Sequence, residues 1–168
     1  MNVRAASLCV LVFVASAFFG GCLENEIVDD ISTEITVTAI GPPGEEYDVR
    51  KRFRFSRSPE EAASTTLDGA TLLIVSPEGT DLSFLHRITV WAEVPESDEL
   101  VLLAEGEGFE PGDRFSTLEI VYTDDLAPLI SSDARATLIF RVQPNQWYRP
   151  YPEGGITILA GASVVIAL

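Results

Sequence analysis

Cysteine is nearly missing from this chain. Of 168 residues only Cys9 and Cys22 are cysteines, and both lie close to the N-terminus. The remainder can form no disulfide, no thiol nucleophile and no thiolate metal site, so its stability must come from packing. Histidine is as scarce, with His86 alone. One imidazole cannot make a histidine pair around a metal. A Ser-His-Asp hydrolase would need His86 as its base, yet no Gly-x-Ser-x-Gly elbow accompanies it. Methionine is absent beyond Met1, and no Gly-rich phosphate loop or redox motif is present. Positive charge is also scarce. Residues 22–168 hold ten basic and 26 acidic side chains, a formal charge of −16. Such a body is repelled by nucleic acid and by anionic lipid, which argues against either as its partner.

The densest information stands at the N-terminus. Arg4 precedes Ala5–Phe18, a stretch without charge, and Phe19-Gly20-Gly21-Cys22 follows. This is the layout of a secretory signal: a positive end, a short apolar run, then small residues at a cut. The segment resembles the lipobox of bacterial lipoproteins, with Phe19 where Leu is usual and Gly20, Gly21 and Cys22 in place. The resemblance covers residues 1–22. It implies diacylglycerol on the Cys22 thiol, cleavage before Cys22 and acylation of the new amine. Two or three chains, at about 0.8 kcal/mol per buried methylene, anchor a protein stably. It further implies a cell-envelope location. Leu23 is not the Asp that marks inner-membrane retention, which favours the outer membrane. The same residues leave open an uncleaved helix over Ala5–Leu23 or an ordinary cleaved signal. The expected division is a signal peptide at 1–21, a lipidated N-terminus and acidic tether at 22–33, and one domain at 34–168.

Within that domain the pattern has period two and is broken by Gly and Pro at short intervals. Ile35-Thr-Val37-Thr-Ala39 alternates, as do Tyr47, Val49, Phe53 and Phe55 with their charged neighbours. Ala70–Val75 is apolar on both faces, which predicts a central strand. Ile88–Val94, Leu100–Ala104, Leu118–Tyr122 and Leu138–Val142 also read as strands. Ile156–Leu168 has no charged side chain, with Gly161 as an expected bulge. At an exposed edge such a strand would aggregate, so it is expected to be paired on both sides. Ser58-Pro59-Glu60-Glu61 and Asp125–Leu129 predict single helical turns. The fold class is all-β: a two-sheet β-sandwich of about eight strands, immunoglobulin-like or jelly-roll, with one or two short helical turns.

Two segments stand out as candidate binding sites. Arg50, Lys51, Arg52, Arg54 and Arg57 supply half of the basic residues after Arg4. On a strand, Arg50, Arg52 and Arg54 share a face about 6.6 Å apart, a row that could meet an anion or simply pair with acids on neighbouring strands. Gln146-Trp147-Tyr148-Arg149-Pro150-Tyr151-Pro152 gathers three rings and two prolines in one loop. Trp147, Tyr148 and Tyr151 would stack on a sugar if exposed and coplanar, or cap the core if buried. The acids Asp29-Asp30, Asp124-Asp125, Glu96 and Asp98 lack the spacing of a calcium loop, and no metal or cofactor is expected. The functional expectation is a lipid-anchored, non-catalytic interaction or assembly module for an envelope protein. The alternatives are a glycan-binding sandwich and a carboxylate-dependent hydrolase.

Overall fold

The computed structural model describes residues 26–37, 45–145, 147–148 and 150–168. The signal peptide, Cys22, Gln146 and Arg149 lie outside them. The described residues form nine strand segments: β1 Glu26–Val37, β2 Tyr47–Arg54, β3 Ser64–Ser76, β4 Leu85–Glu93, β5 Leu100–Glu107, β6 Phe115–Thr117, β7 Glu119–Ile120, β8 Arg135–Pro144 and β9 Ile156–Ala167. They make two sheets, ordered β1-β9-β3-β6 and β2-β8-β4-β5-β7. Between the sheets lies the core, drawn from the inward residues of both. Ile35, Val37, Leu72, Ile156, Ile158 and Ile166 come from the first sheet, and Ile88, Val90, Leu138, Phe140 and Val142 from the second.

The pairing is nested. β1 pairs with β9, β2 with β8, β3 with β6 and β4 with β5, all antiparallel. A long antiparallel hairpin rolled up on itself produces this order, which decides between the two expected topologies in favour of the jelly roll. β6 and β7 are halves of one strand. The chain leaves the first sheet after Thr117 and joins the second at Glu119, while Leu118, buried at the corner, donates its N–H to the Ala70 carbonyl at 2.8 Å. The sequence reading of Leu118–Tyr122 as one strand is corrected accordingly.

Three further expectations meet the structure. β9 is interior, paired with β1 on one side and β3 on the other, as its missing charge requires. The tether is corrected: residues 26–33 are the first two thirds of β1, in unbroken register with β9, so they belong to the folded domain. Gly161 is not a bulge. It pairs regularly with Ser32 and Thr71, and the irregularities fall instead on β3, between Leu67 and Gly69 and between Ile74 and Ser76. What requires glycine at 161 is close approach, since a Cβ there would lie 3.0 Å from the Thr71 Oγ1.

The helical content of the described residues is three 3-10 turns. Two are the expected ones, Pro59–Glu61 and Ala127–Leu129. In the first, the Glu61 carboxylate accepts from the Ser58 N–H at 3.0 Å while the Glu61 N–H returns to the Ser58 carbonyl. In the second, Asp125 Oδ1 accepts from Ala127 N–H and also from Thr65 N–H on β3, tying the loop to the sheet. The third turn, Leu82–Phe84, is capped by Asp81, which accepts from the Ser83 N–H and hydroxyl and from the Gly112 N–H. Burial alone would raise the Asp81 carboxyl, but these three donors outweigh it and hold it below the usual range.

Candidate functional site

The arginine row lies where the sequence places it. Asp48, Arg50, Arg52 and Arg54 point outward from β2, while Tyr47, Val49, Lys51 and Phe53 alternate inward. The row is not a free basic stripe. Arg50 pairs with Glu93 on β4, and Asp48 is held by Arg141 through two hydrogen bonds of 2.9 and 3.1 Å. That bond is the main reason the Asp48 carboxyl sits below its ordinary range. Arg54 stands opposite Arg135, which turns to Asp133 at 3.0 Å. Arg52 lines an open groove of about 890 Å³ with Arg135, rimmed by Glu93, Glu96, Asp98 and Asp133. Four carboxylates around two guanidiniums do not make an anion site, so the outward row serves the sheet.

The aromatic loop splits into two roles. Trp147 is 81% exposed. Its backbone N–H is held by the Asn145 side-chain oxygen at 3.0 Å, and Asn145 is anchored to the Ser83 and Phe84 carbonyls. Tyr148 packs edge-on against Phe84 and against Tyr151, with interplanar angles of 69° and 80°. The Tyr151 hydroxyl donates to the Val37 carbonyl at 2.6 Å. Tyr148 and Tyr151 therefore cap this end of the core, and the three rings form no coplanar platform. A sugar would find one ring, Trp147.

Trp91 projects from the outer face of the second sheet. Its Nε1 donates to Thr89 at 2.8 Å, and the Arg141 guanidinium lies 5.7 Å from the ring centre. His86 is exposed on β4. Among the described residues no three His, Cys, Asp or Glu side chains gather at metal-ligating distance. Three of the six acids singled out by sequence serve the chain itself: Asp29 accepts from Ser56 N–H, Asp30 from the Ser163 hydroxyl, and Asp125 as above.

The surface that the sequence did not single out is the outer face of the first sheet. On β9 its outward residues are Thr157, Leu159, Gly161, Ser163, Val165 and Ala167, all uncharged. Register places Glu34, Leu159, Leu73 and Phe115 in one row across β1, β9, β3 and β6. Phe115 is 56% exposed, Leu73 38% and the adjacent Val75 44%. The charged groups on the long strands of this face are Glu26, Asp30 and Glu34 on the marginal strand β1 and Asp68, exposed at the irregularity of β3. The sequence signal was present in Ala70–Val75. An apolar run on both faces reads as a strand covered on both sides, but here only the inner face is covered.

No protein-family model and no curated protein matches the chain. Three capsid structures resemble it. One, of the empty head of turnip yellow mosaic virus, is 10% identical, with 98% of this chain and 89% of that chain covered and a TM-score of 0.36. A second turnip yellow mosaic virus structure is 8% identical over 86% and 95% of the two chains, at 0.34. Desmodium yellow mottle tymovirus gives 11% identity over 99% and 95%, at 0.25. Likeness at this level shows neither kinship nor function.

Proposed function

We propose that this chain is a cell-envelope lipoprotein, held in the outer membrane by lipid on Cys22, whose jelly-roll domain is a non-catalytic interaction or assembly module. The observation that carries the reading is the apolar row on the outer face of the first sheet, where Phe115, Leu73 and Leu159 stand side by side across three strands. Apolar area left in water is stabilising only when something covers it, and contiguous exposed apolar surface marks a contact with another molecule. The chain carries 26 acidic residues, so an exposed apolar row is set apart from its surroundings. Anchoring supports the reading as well, because a domain confined at a membrane meets its partner at a raised effective concentration. A glycan-binding reading retains one observation, the exposed ring of Trp147.

The test is a photo-reactive residue placed at Phe115 in the full chain in its native membrane, with Arg54 on the opposite sheet as the comparison position. Protein adducts at 115, lost on Leu73→Glu and absent at 54, are the expected result. Adducts at neither position, or equal adducts at both, overturn the reading.

A further inference from the structure

We infer that the partner of this face is a basic polypeptide, which brings apolar side chains to the row of Leu159, Leu73 and Phe115 and lysine or arginine side chains to the acids around it. The inference rests on the interaction reading above and names the chemistry of its occupant. What carries it is the division of charge between the two sheets. The strands of the first sheet hold five acids, Glu26, Asp29, Asp30, Glu34 and Asp68, and no base. The strands of the second hold seven bases against five acids. Acidity that served solubility alone would not keep the bases off one sheet. Here seven of the ten bases after Arg4 lie on the second sheet, and the outward charges on the strands of the first are all carboxylates.

The acids border the row. Glu34 closes its β1 end. Asp30 on β1 and Asp68 on β3 stand to one side of it, about 13 and about 17 Å away at about 3.3 Å per residue. On the other side Glu78 is exposed in the turn after β3, and Glu110 and Asp113 are exposed in the turn that leads into Phe115. The one base close by in sequence, Arg114, stands opposite buried Ile74, whose N–H donates to its carbonyl, so it alternates away from the row. Acids spread this far from the apolar row are out of reach of one ion or small amine, and fit the spaced side chains of a polypeptide. Opposite charge around an apolar centre speeds docking and rejects wrong partners. The same acids repel an anionic lipid surface and a second copy of this face. The chain's own basic sheet is no substitute, because Arg50, Arg87, Arg135 and Arg141 already pair with Glu93, Glu105, Asp133 and Asp48.

The experiment places the photo-reactive residue at Phe115 in the full chain in its native membrane. It reads the yield of protein adducts and, by mass spectrometry, the cross-linked segment of the partner. That segment is expected to carry more Lys and Arg than Asp and Glu. Glu34→Lys together with Asp68→Lys should cut the yield about fivefold or more. Asp98→Lys together with Glu99→Lys, an equal change of net charge in the loop between β4 and β5, should leave it unchanged. All four positions are exposed. Raising salt from about 0.05 to about 0.5 M shortens the screening length from about 14 to about 4 Å and should lower the wild-type yield likewise. This salt series needs no variant, and it decides should the Glu34 and Asp68 pair not fold. Protein adducts indifferent to the charge swaps and to salt overturn the inference and leave the interaction reading standing. So do adducts that fall equally with both pairs, or that lie on an acidic segment or on a second copy of this chain. No protein adducts at 115 sinks both.

Discussion

Tyr47 and Tyr151 sit near one end of the sandwich, yet their hydroxyls have different surroundings. Tyr151 donates to the Val37 carbonyl, whereas the Tyr47 hydroxyl is buried without a partner among the described residues. Burial pushes Tyr47 up to about 12 and is also the first cause of the rise at Tyr151, followed by Tyr47 and Tyr148. Both folded-state values lie above the unfolded value of about 10. The stability held in these protonated phenols is therefore complete below about pH 10 and is lost as pH climbs toward the folded values. Tyr47→Phe is expected to raise stability at neutral pH by about 0.5–1 kcal/mol, because it removes a desolvated hydroxyl that gains nothing. Tyr151→Phe is expected to lower it by about 1 kcal/mol, because the Val37 carbonyl loses its donor. Either change should blunt the alkaline loss. Thermal melts of the three proteins at pH 7 and pH 11 decide it. The aromatic density of residues 147–151 was legible in sequence. Which ring stands in water was not, because Phe84 and Val37, far away in the chain, settle it.

Single strands make the same point about distant partners. β1 and β2 are edge strands of their sheets. Each carries a charged residue at an inward position, Asp29 on β1 and Lys51 on β2, and β2 adds its outward arginines. Charges placed this way keep another strand from pairing with an open edge. The Arg-Lys-Arg-Phe-Arg run, conspicuous as a possible ligand site, is therefore explained by its position in the sheet. The early part of β1 escaped the sequence reading because its acids suggested a solvated tether, although Ile27, Ile31 and Ile35 keep period two. The switch between sheets at Leu118 was illegible for another reason: nothing local distinguishes a strand that changes partners. Its packing makes a sharp prediction. A Cβ on Gly106 would lie 2.6 Å from Leu118 Cδ2 and 3.1 Å from Phe109 Cζ. Gly106→Ala should destabilise by about 1–2 kcal/mol through this overpacking, read as a lower melting temperature.

At the scale of the whole molecule, the two sheets and their Gly/Pro punctuation followed from alternation, while the nested order did not, since period two says nothing of which strands meet. One constraint did cross scales. The missing charge on Ile156–Leu168 required a strand with neighbours on both sides, and β9 has them. β9 joins β1 to β3, and without it the first sheet loses its middle. Truncation after Gly155 should therefore abolish folding altogether. Circular dichroism and melting of the shortened chain check this, and a soluble, cooperatively melting product would refute it.

The same arrangement has a consequence in time. Nested pairing puts the longest loop closures between the first and last strands, and such non-local contacts form late and slowly. β1 has no partner in its sheet until β9 has been synthesised. If the N-terminal segment directs this chain across a membrane, as its likeness to a lipobox signal implies, the delay is useful. The chain stays threadable through a narrow channel until its last strand arrives, and the roll closes on the far side.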